Sequence, residues 1–257
     1  MRRLIQFPCA GETLVGTLDE GTNATGLLIV SGGNEIRCGA HRGMALLAAR
    51  LAATGIPVFR FDRRGIGDST GENCDFESAA PDIAAAAATF CAETGITRLV
   101  AFGNCDAATA LALFHEAAGM DALVLANPWI GGEADDLPPA AAIRARYAQR
   151  LRDPASWRRL LAGRVDLSKL ANGLRKISSK RLDQSDNLSM RLTTALAGDT
   201  RITVILATGD ATAIAYDDAV ETNPGVTIHR IDTASHSFAR AGDMASLEAI
   251  IRSVLTN

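Results

Sequence analysis

Short apolar stretches rich in leucine and β-branched residues recur along the chain, separated by longer segments with a helical pattern. This alternation is typical of buried strands and crossover helices in a mostly parallel sheet. The first two predicted strands have no helix between them, so we expect an antiparallel hairpin at one edge of the sheet. The eight predicted strands are Arg3–Phe7, Thr13–Asp19, Gly26–Ser31, Pro57–Phe61, Arg98–Phe102, Ala122–Ala126, Thr203–Ala207 and Val226–Ile231.

Helices are predicted between the later strands, on both faces of the sheet. Gly55 and Pro57 end the first helix, because glycine suits a helix C-cap and proline prevents continuation. The pattern therefore predicts an α/β fold with an eight-stranded sheet covered by helices. The predicted helices are Ala40–Thr54, Glu77–Thr94, Asp106–Ala118 and Met244–Leu255.

The regular alternation is interrupted between Trp129 and Asp199 by a turn-rich, then Arg-rich, segment with a helical pattern. Residues 134–191 contain 13 Lys and Arg against 6 Asp and Glu, an excess of seven positive charges, whereas the rest of the chain has a net charge of −10. An insertion of this size between two strands of one sheet indicates a cap. We therefore predict a helical cap insertion over 131–196 and a core formed by 1–130 and 197–257.

Composition excludes several classes of protein. The 257 residues are 47% hydrophobic and 21% charged, which is typical of a globular protein, and the net charge of −3 argues against a nucleic-acid partner. Five unevenly spaced cysteines do not form a disulfide framework and indicate a reducing compartment. We find no secretory signal, no membrane-spanning stretch and no metal-ligand spacing, so we expect a cytoplasmic protein with no metal or other cofactor.

The segment around Cys105 is the most informative for chemistry. An apolar strand runs directly into Gly103-Asn104-Cys105-Asp106-Ala107 and then into an Ala-rich helix. Small residues two positions before and after Cys105 allow a sharp strand-to-helix turn that exposes the central side chain at the edge of the sheet. The N-terminus of the following helix favours a thiolate there, so Cys105 is predicted to be a nucleophile rather than a buried structural cysteine.

A nucleophile of this kind needs a base, and His236 is the best candidate among four histidines. It follows the last predicted strand, so its loop lies at the same carboxyl edge of the sheet as Cys105. His115 lies about three turns into the helix after Cys105, and His229 lies within a strand. The remaining histidine, His41, lies near the start of the first predicted helix.

Asp210 is predicted to orient the imidazole, because it follows the seventh strand and Gly209 marks the turn. Asp217 and Asp218 are rivals one or two turns later, and Asp210 could instead be only a helix N-cap. The chain order of nucleophile, acid and histidine is the order expected for this type of sheet.

An oxyanion hole needs two backbone N–H donors. We predict that one is Asp106, directly after the nucleophile, and that the other is Gly33 or Asn34 in the glycine-rich turn after the third strand. The glycine-rich loop Asp62–Ser69 lacks the pattern of a dinucleotide site. We expect it to order the neighbouring turn through Asp–Arg pairing.

Together these motifs resemble the α/β-hydrolase superfamily over essentially the whole chain. More narrowly, the chain is similar to the type 1 exosortase A system-associated hydrolases. The matching stretches are Gly32–Arg37 with His41-Arg42, Phe59–Ser69, Gly103–Ala108, Asn127-Pro128-Trp129, Tyr147–Leu151 and Trp157–Leu161. The chain departs from most of the superfamily at two positions. Cys105 stands where serine is usual, and Ala107 stands where the superfamily has the second glycine of the strand-to-helix turn. Dienelactone hydrolases and polyhydroxyalkanoate synthases also have cysteine at this point.

The resemblance implies a bacterial hydrolase associated with exopolysaccharide gene clusters. A thiol nucleophile favours cleavage of an ester or thioester through an acyl-enzyme, because an amide is a harder target. An acyltransferase using the same nucleophile and a non-catalytic scaffold are the alternatives. The expected partner is a small or acyl-carrier-linked acyl substrate, and the sequence leaves a homo-oligomer open. Candidate substrate-binding residues are Arg37, His41, Arg42 and Trp129, the first three of which would suit an anionic group if they are not simply solvated surface charges.

Overall fold

A computed structural model of the protein describes residues 1–131, 182–221 and 223–257. These residues form one eight-stranded sheet with the order β1-β2-β4-β3-β5-β6-β7-β8. The β1–β2 and β2–β4 pairs are antiparallel and the other neighbours are parallel, which confirms the predicted edge hairpin and mostly parallel sheet. The strands are β1 Arg2–Cys9, β2 Glu12–Asp19, β3 Thr25–Val30, β4 Val58–Phe61, β5 Arg98–Asn104, β6 Ala122–Ala126, β7 Arg201–Ala207 and β8 Val226–Ile231.

Six α-helices lie within the described residues. The helix predicted from Ala40 begins as α1 only at Gly43, because Ala40–Arg42 form a short 3₁₀ turn in which His41 and Arg42 have left-handed backbone angles. The helix predicted to Ala118 ends as α3 at Phe114, and a 3₁₀ turn over Glu116–Ala118 follows it. The helices are α1 Gly43–Ala52, α2 Ala80–Thr94, α3 Asp106–Phe114, α4 Leu182–Ala195, α5 Ala211–Ala219 and α6 Asp243–Thr256.

The hydrophobic core has one layer on each face of the sheet. Alternation along β3 sends Leu28 into the layer that contains α2 and α3, and Leu27 into the layer that contains α1 and α6. In the first layer Phe59 of β4 stacks on Phe90 of α2 with ring centroids 5.7 Å apart. Leu192 of α4 is buried in the same layer. The helices therefore cover both faces, as predicted.

Residues 132–181, which hold most of the predicted cap, lie outside the described residues, so the cap and the division into core and cap stay predictions. Among the described helices, none is long and apolar enough to cross a bilayer.

The parallel strands all end at one edge of the sheet. The loops after β3, β5, β7 and β8 therefore emerge on the same side, where open α/β sheets hold their sites. These are the loops that carry the predicted oxyanion turn, nucleophile, acid and histidine.

Candidate active site

Cys105 is the single residue between β5 and α3, so the predicted strand-to-helix turn is confirmed. Its backbone angles, φ 63° and ψ −128°, are rarely adopted by residues with a side chain and indicate strain at this position. Gly103 allows the turn, since a Cβ there would lie 2.8 Å from the carbonyl carbon of Ala107. The side chain of Cys105 is consequently held at the carboxyl edge of the sheet, half-buried, at the start of a helix.

His236 lies between Cys105 and Asp210. Its Nδ1 is 3.1 Å from Oδ2 of Asp210, and its side chain also forms a hydrogen bond with Cys105. These two hydrogen bonds, that with Asp210 first, raise the pKa of His236 to about 10 despite its burial. The structure thus brings the three predicted residues together in the predicted chain order.

Asp210 serves as a helix N-cap and as the partner of His236 at the same time. Its Oδ1 accepts hydrogen bonds from the amides of Thr212 and Ala213, at 3.0 and 3.1 Å, while Oδ2 faces the imidazole. Burial raises the pKa of the Asp210 carboxyl, but the hydrogen bond and charge of His236 and the two amides outweigh it, so the net shift is downward. The two roles considered for this residue are therefore compatible.

The rival acids and histidines lie elsewhere. Asp217 is exposed on α5 and pairs with Arg230 at 2.7 Å, and Asp218 is exposed beside it. His115 is buried, and its Nδ1 lies 2.9 Å from a helix carbonyl within its own segment. His229 lies within β8.

The turn after β3 contacts the strand-to-helix turn at Cys105, here called the elbow. The backbone amide of Gly33, however, has a partner within the protein. The N–H of Gly33 donates to Oδ1 of Asp106 at 2.6 Å, and Arg63 donates to the carbonyl oxygen of Gly33 at 2.5 Å. In this arrangement the Gly33 amide is occupied by a carboxylate, which differs from the predicted role as oxyanion donor. Gly32 packs so closely against Asn104 that a Cβ would lie 2.6 Å from the Asn104 carbonyl oxygen.

Asp106 and Asn34, the other two predicted oxyanion donors, lie near the elbow. Asp106 is the first residue of α3, where backbone N–H groups have no partner within the helix. Asn34 follows Gly33 in the turn, and its side-chain oxygen accepts a hydrogen bond from Asn73 at 2.8 Å.

A model of the serine aminopeptidase (S33) family matches residues 24–201 of the chain. The chain belongs to this family of hydrolases. The family is named for a serine enzyme, whereas the elbow of this S33-family chain carries Cys105.

Solved structures similar to this S33-family hydrolase share its α/β-hydrolase fold. DcsB, in complex with its substrate analogue, has a TM-score of 0.65 at 14% identity, and the match covers 100% of this chain and 98% of that one. An esterase of Pyrococcus furiosus has a TM-score of 0.65 at 16% identity, covering 100% and 90%. The proline iminopeptidase of Mycobacterium smegmatis has a TM-score of 0.61 at 17% identity, covering 99% and 98%. No curated protein sequence matches the chain.

Arg37, one of the predicted substrate-binding residues, has several partners within this S33-family hydrolase. Its guanidinium pairs with the fully buried carboxylate of Asp62, with Asp68 at 2.8 Å and with the hydroxyl of Thr17 at 3.0 Å. Because these partners engage the guanidinium, it ties the glycine-rich loop 62–69 to the oxyanion turn. The predicted structural role of that loop is confirmed, although Asp62 pairs with Arg37 rather than with its neighbour Arg63.

The other candidate substrate residues differ in exposure. His41 and Arg42 are exposed, with left-handed φ angles of 51° and 60°. Trp129 is half-buried against Phe76, with ring centroids 5.5 Å apart, and its backbone N–H donates to the carbonyl oxygen of Cys105 at 3.2 Å. Trp129 is thus placed beside the nucleophile, whereas the structure adds no contact that supports His41 or Arg42.

Sequence reasoning missed two features of the site. Glu35 interacts electrostatically with His236 and Asp106, and burial raises the pKa of its carboxyl even though a backbone hydrogen bond from Ala40 lowers it. Asn127 follows β6 and donates its side-chain amide toward the carbonyl oxygen of His236. The sequence signals for Asn127 are an Asn-Pro pair directly after a buried strand and its place in one of the stretches that carry the family resemblance, neither of which indicates its role. Within the described residues, no group of His, Cys, Asp and Glu could hold a metal ion.

Proposed function

We propose that this hydrolase cleaves a carboxylic ester or thioester with Cys105 as nucleophile, His236 as base and acid, and Asp210 as the residue that orients His236. The observation that carries the proposal is that His236 interacts with both Asp210 and Cys105, with the cysteine on a strained turn at a helix N-terminus. An intact nucleophile, base and orienting acid at one sheet edge argues against a non-catalytic scaffold.

The reaction proceeds in two half-reactions. His236 holds the proton that the Cys105 thiol gives up, and Sγ then forms a bond to the substrate carbonyl carbon. The carbonyl oxygen becomes an oxyanion, stabilised by the N–H of Asp106 and by that of Asn34 in the turn after β3. The bond to the leaving alkoxide or thiolate then breaks, and His236 returns the proton to that group, which leaves an acyl-thioester on Cys105.

Water completes the cycle. His236, neutral after the first half-reaction, removes a proton from a water molecule, whose oxygen attacks the thioester carbonyl. The bond to Sγ then breaks, and His236 keeps the proton while Cys105 leaves as a thiolate. Asp210 stays ionised throughout, because its lowered pKa keeps it a carboxylate that holds the Nδ1–H of His236.

The acyl substrate is proposed to carry negative charge. The seven excess positive charges of residues 134–191 support an acyl-carrier-linked or otherwise acidic substrate. The resemblance to type 1 exosortase A system-associated hydrolases supports a role in bacterial exopolysaccharide formation, in the cytoplasm.

The test uses p-nitrophenyl acyl esters of increasing chain length together with a β-lactone probe and mass spectrometry. We expect a covalent adduct at Cys105 that hydroxylamine removes, as it does thioesters, and that is lost in Cys105→Ala and greatly slowed in His236→Ala. Cys74→Ala is the matched control, because Cys74 is an exposed thiol remote in sequence from the elbow.

Labelling of Cys38 or Cys74 at the rate of Cys105, or full ester turnover by Cys105→Ala, would refute the proposal. Adding alcohol or amine acceptors to the same assay distinguishes hydrolysis from acyl transfer, because transfer consumes the acyl-enzyme in proportion to the acceptor concentration.

A further inference from the structure

Asn127 is the first residue after β6, and it contacts the elements that carry all three residues of the proposed triad. It is fully buried and has a left-handed φ of 42°, although it is not a glycine. A buried amide in a strained backbone conformation is maintained only where its surroundings require it.

Toward β7, Asn127 binds the end of the strand that leads to the acid. Its backbone N–H donates to Ile205 at 2.9 Å, and its side-chain Oδ1 accepts from the amide of Ala207 at 2.9 Å. Ala207 in turn accepts a hydrogen bond at 2.9 Å from the amide of Asp210. The oxygen of the Asn127 side chain is therefore tied to the residue from which the Asp210 turn begins.

Toward the histidine loop, Asn127 acts together with Asn104. The Nδ2 of Asn127 donates to the carbonyl oxygen of His236 at 3.2 Å and to Oδ1 of Asn104 at 3.1 Å. The Nδ2 of Asn104 donates to the same His236 carbonyl at 3.1 Å. The backbone of His236 is thus held by two side-chain amides that are also bonded to each other.

Toward the elbow, the residues around Asn127 hold both peptide groups of Cys105. The amide of Cys105 donates to Ala126 at 3.0 Å, and the carbonyl of Cys105 accepts from Trp129 at 3.2 Å. Asn104, the other member of the pair, directly precedes Cys105. One short segment after β6 therefore connects the elbow, the acid turn and the histidine loop.

We infer that Asn127, with Asn104, is a positioning residue that fixes the imidazole of His236 between Cys105 and Asp210. The inference rests on the proposed function. Neither amide touches the reacting atoms; both act through the main chain of His236. Because proton transfer depends steeply on the separation of donor and acceptor, a displaced histidine loop slows thiol activation even when the fold is intact.

The experiment measures the rate of Cys105 alkylation by iodoacetamide as a function of pH in the full-length protein. The variants are Asn127→Gly, which removes the amide while relieving the left-handed strain, and Asn104→Ala, which removes one of the two donors to His236. Asn223→Ala is the control, because this amide bonds Leu196 and Gly225 away from the site. Circular dichroism confirms that each variant is folded.

We expect each variant to lose about 10- to 100-fold in alkylation rate at neutral pH and to shift its pH profile toward that of His236→Ala. The control keeps the rate and profile of the wild type. A wild-type profile in folded Asn127→Gly and Asn104→Ala overturns the inference, and if Asn127→Gly does not fold, Asn104→Ala decides alone. If His236→Ala itself reacts like the wild type, the proposed function has failed instead, so the two failures are distinguishable.

Discussion

At the scale of single residues, charge in the site is concentrated on the pair of His236 and Asp210. The pKa of His236 is raised from 6.5 to about 10 by its hydrogen bonds with Asp210 and Cys105, and that of Asp210 is lowered. At neutral pH the folded protein therefore holds an imidazolium against a carboxylate. The same pair serves the proposed chemistry and contributes to stability.

This pair predicts how stability depends on pH. The folded state binds the His236 proton more tightly than the unfolded state does, so the stabilisation is full below about pH 6.5 and is lost as the pH rises through about 10. We expect the difference in Tm between the wild type and Asp210→Asn to be largest between about pH 5 and 6.5 and to vanish near pH 10. Asparagine can still accept the two N-cap hydrogen bonds, so the variant removes chiefly the charge.

Asp217→Asn is the matched control for this measurement. Asp217 is exposed and pairs with Arg230, which stays charged over the whole range. The Asp217→Asn substitution should change Tm only slightly, and by the same amount at every pH from about 6.5 to 10. A difference for Asp210→Asn that is equally flat would contradict the predicted linkage.

The residue scale also shows what sequence reasoning can and cannot decide. Cys105, His236 and Asp210 follow from their positions after strands, because strand ends meet at one sheet edge. The occupied amide of Gly33 could not be predicted, since it depends on the rotamer of the Asp106 side chain. The partners of Arg37 could not be predicted for a similar reason, because Asp62 and Asp68 are brought to it only by the fold.

At the scale of elements, the junction of β5 and α3 depends on two small residues. Gly103 faces the backbone of Ala107 so closely that a Cβ would lie 2.8 Å from its carbonyl carbon, and Ala107 is itself fully buried. Backbone cannot move aside as a flexible side chain can. The sharpness of the turn, and with it the position of Cys105, therefore limits the size of residue 103.

Gly103→Ala should lower the free energy of unfolding by about 1–3 kcal/mol, because the added methyl group forces the strand and the helix apart. It should also slow labelling of Cys105 by the β-lactone probe in the folded protein. Urea unfolding followed by circular dichroism measures the first effect, and mass spectrometry measures the second.

Gly198→Ala is the control for that substitution, since the nearest atom to an added Cβ there is a Glu116 carboxylate oxygen 3.8 Å away. It should change stability by less than about 0.5 kcal/mol. If Gly103→Ala behaved like Gly198→Ala in both measurements, the elbow would not be as tightly constrained as its geometry indicates.

The elements that sequence predicted best are those with the strongest periodic signal. The bounds of β6 and β8 agree with prediction, because β6 is an apolar run and β8 is rich in β-branched residues, each between clear breaks. Helix α5 was missed, since its sequence Ala211–Ala219 has alanine, tyrosine and aspartate with no clear apolar stripe. Its start is set by the Asp210 cap instead. The true start of α1 was missed because nothing local predicts left-handed angles at His41 and Arg42.

At the scale of the whole molecule, the residues of the candidate site come from three separate segments of the chain. Cys105 follows β5, Asp210 follows β7 and His236 follows β8, and β6 lies between the first two strands. The three side chains therefore meet only when this half of the sheet is complete. Enhanced reactivity of Cys105 should accordingly be a property of the folded sheet and not of the elbow segment alone.

Phe90→Ala tests this dependence from a distance. Phe90 is fully buried on α2 and stacks on Phe59, and α2 carries no residue of the proposed triad. Removing its ring should leave a cavity that lowers the free energy of unfolding by about 3–5 kcal/mol. In the absence of urea, Cys105 should be labelled at the wild-type rate, because removing the Phe90 ring from the core does not displace the elbow.

In urea, the labelling rate and the circular dichroism signal should fall in one transition, and Phe90→Ala should move both midpoints to lower urea by the same amount. The reason is that the site and the core share one sheet, so neither can unfold while the other stays formed. Phe114→Ala, on the partly exposed end of α3, should move the midpoints less. In the wild type or in Phe90→Ala, labelling could instead be lost at much lower urea than the helix signal. That result would show that the loops carrying Asp210 and His236 open separately from the sheet. The amide contacts of Asn127 would then be too weak to hold those loops.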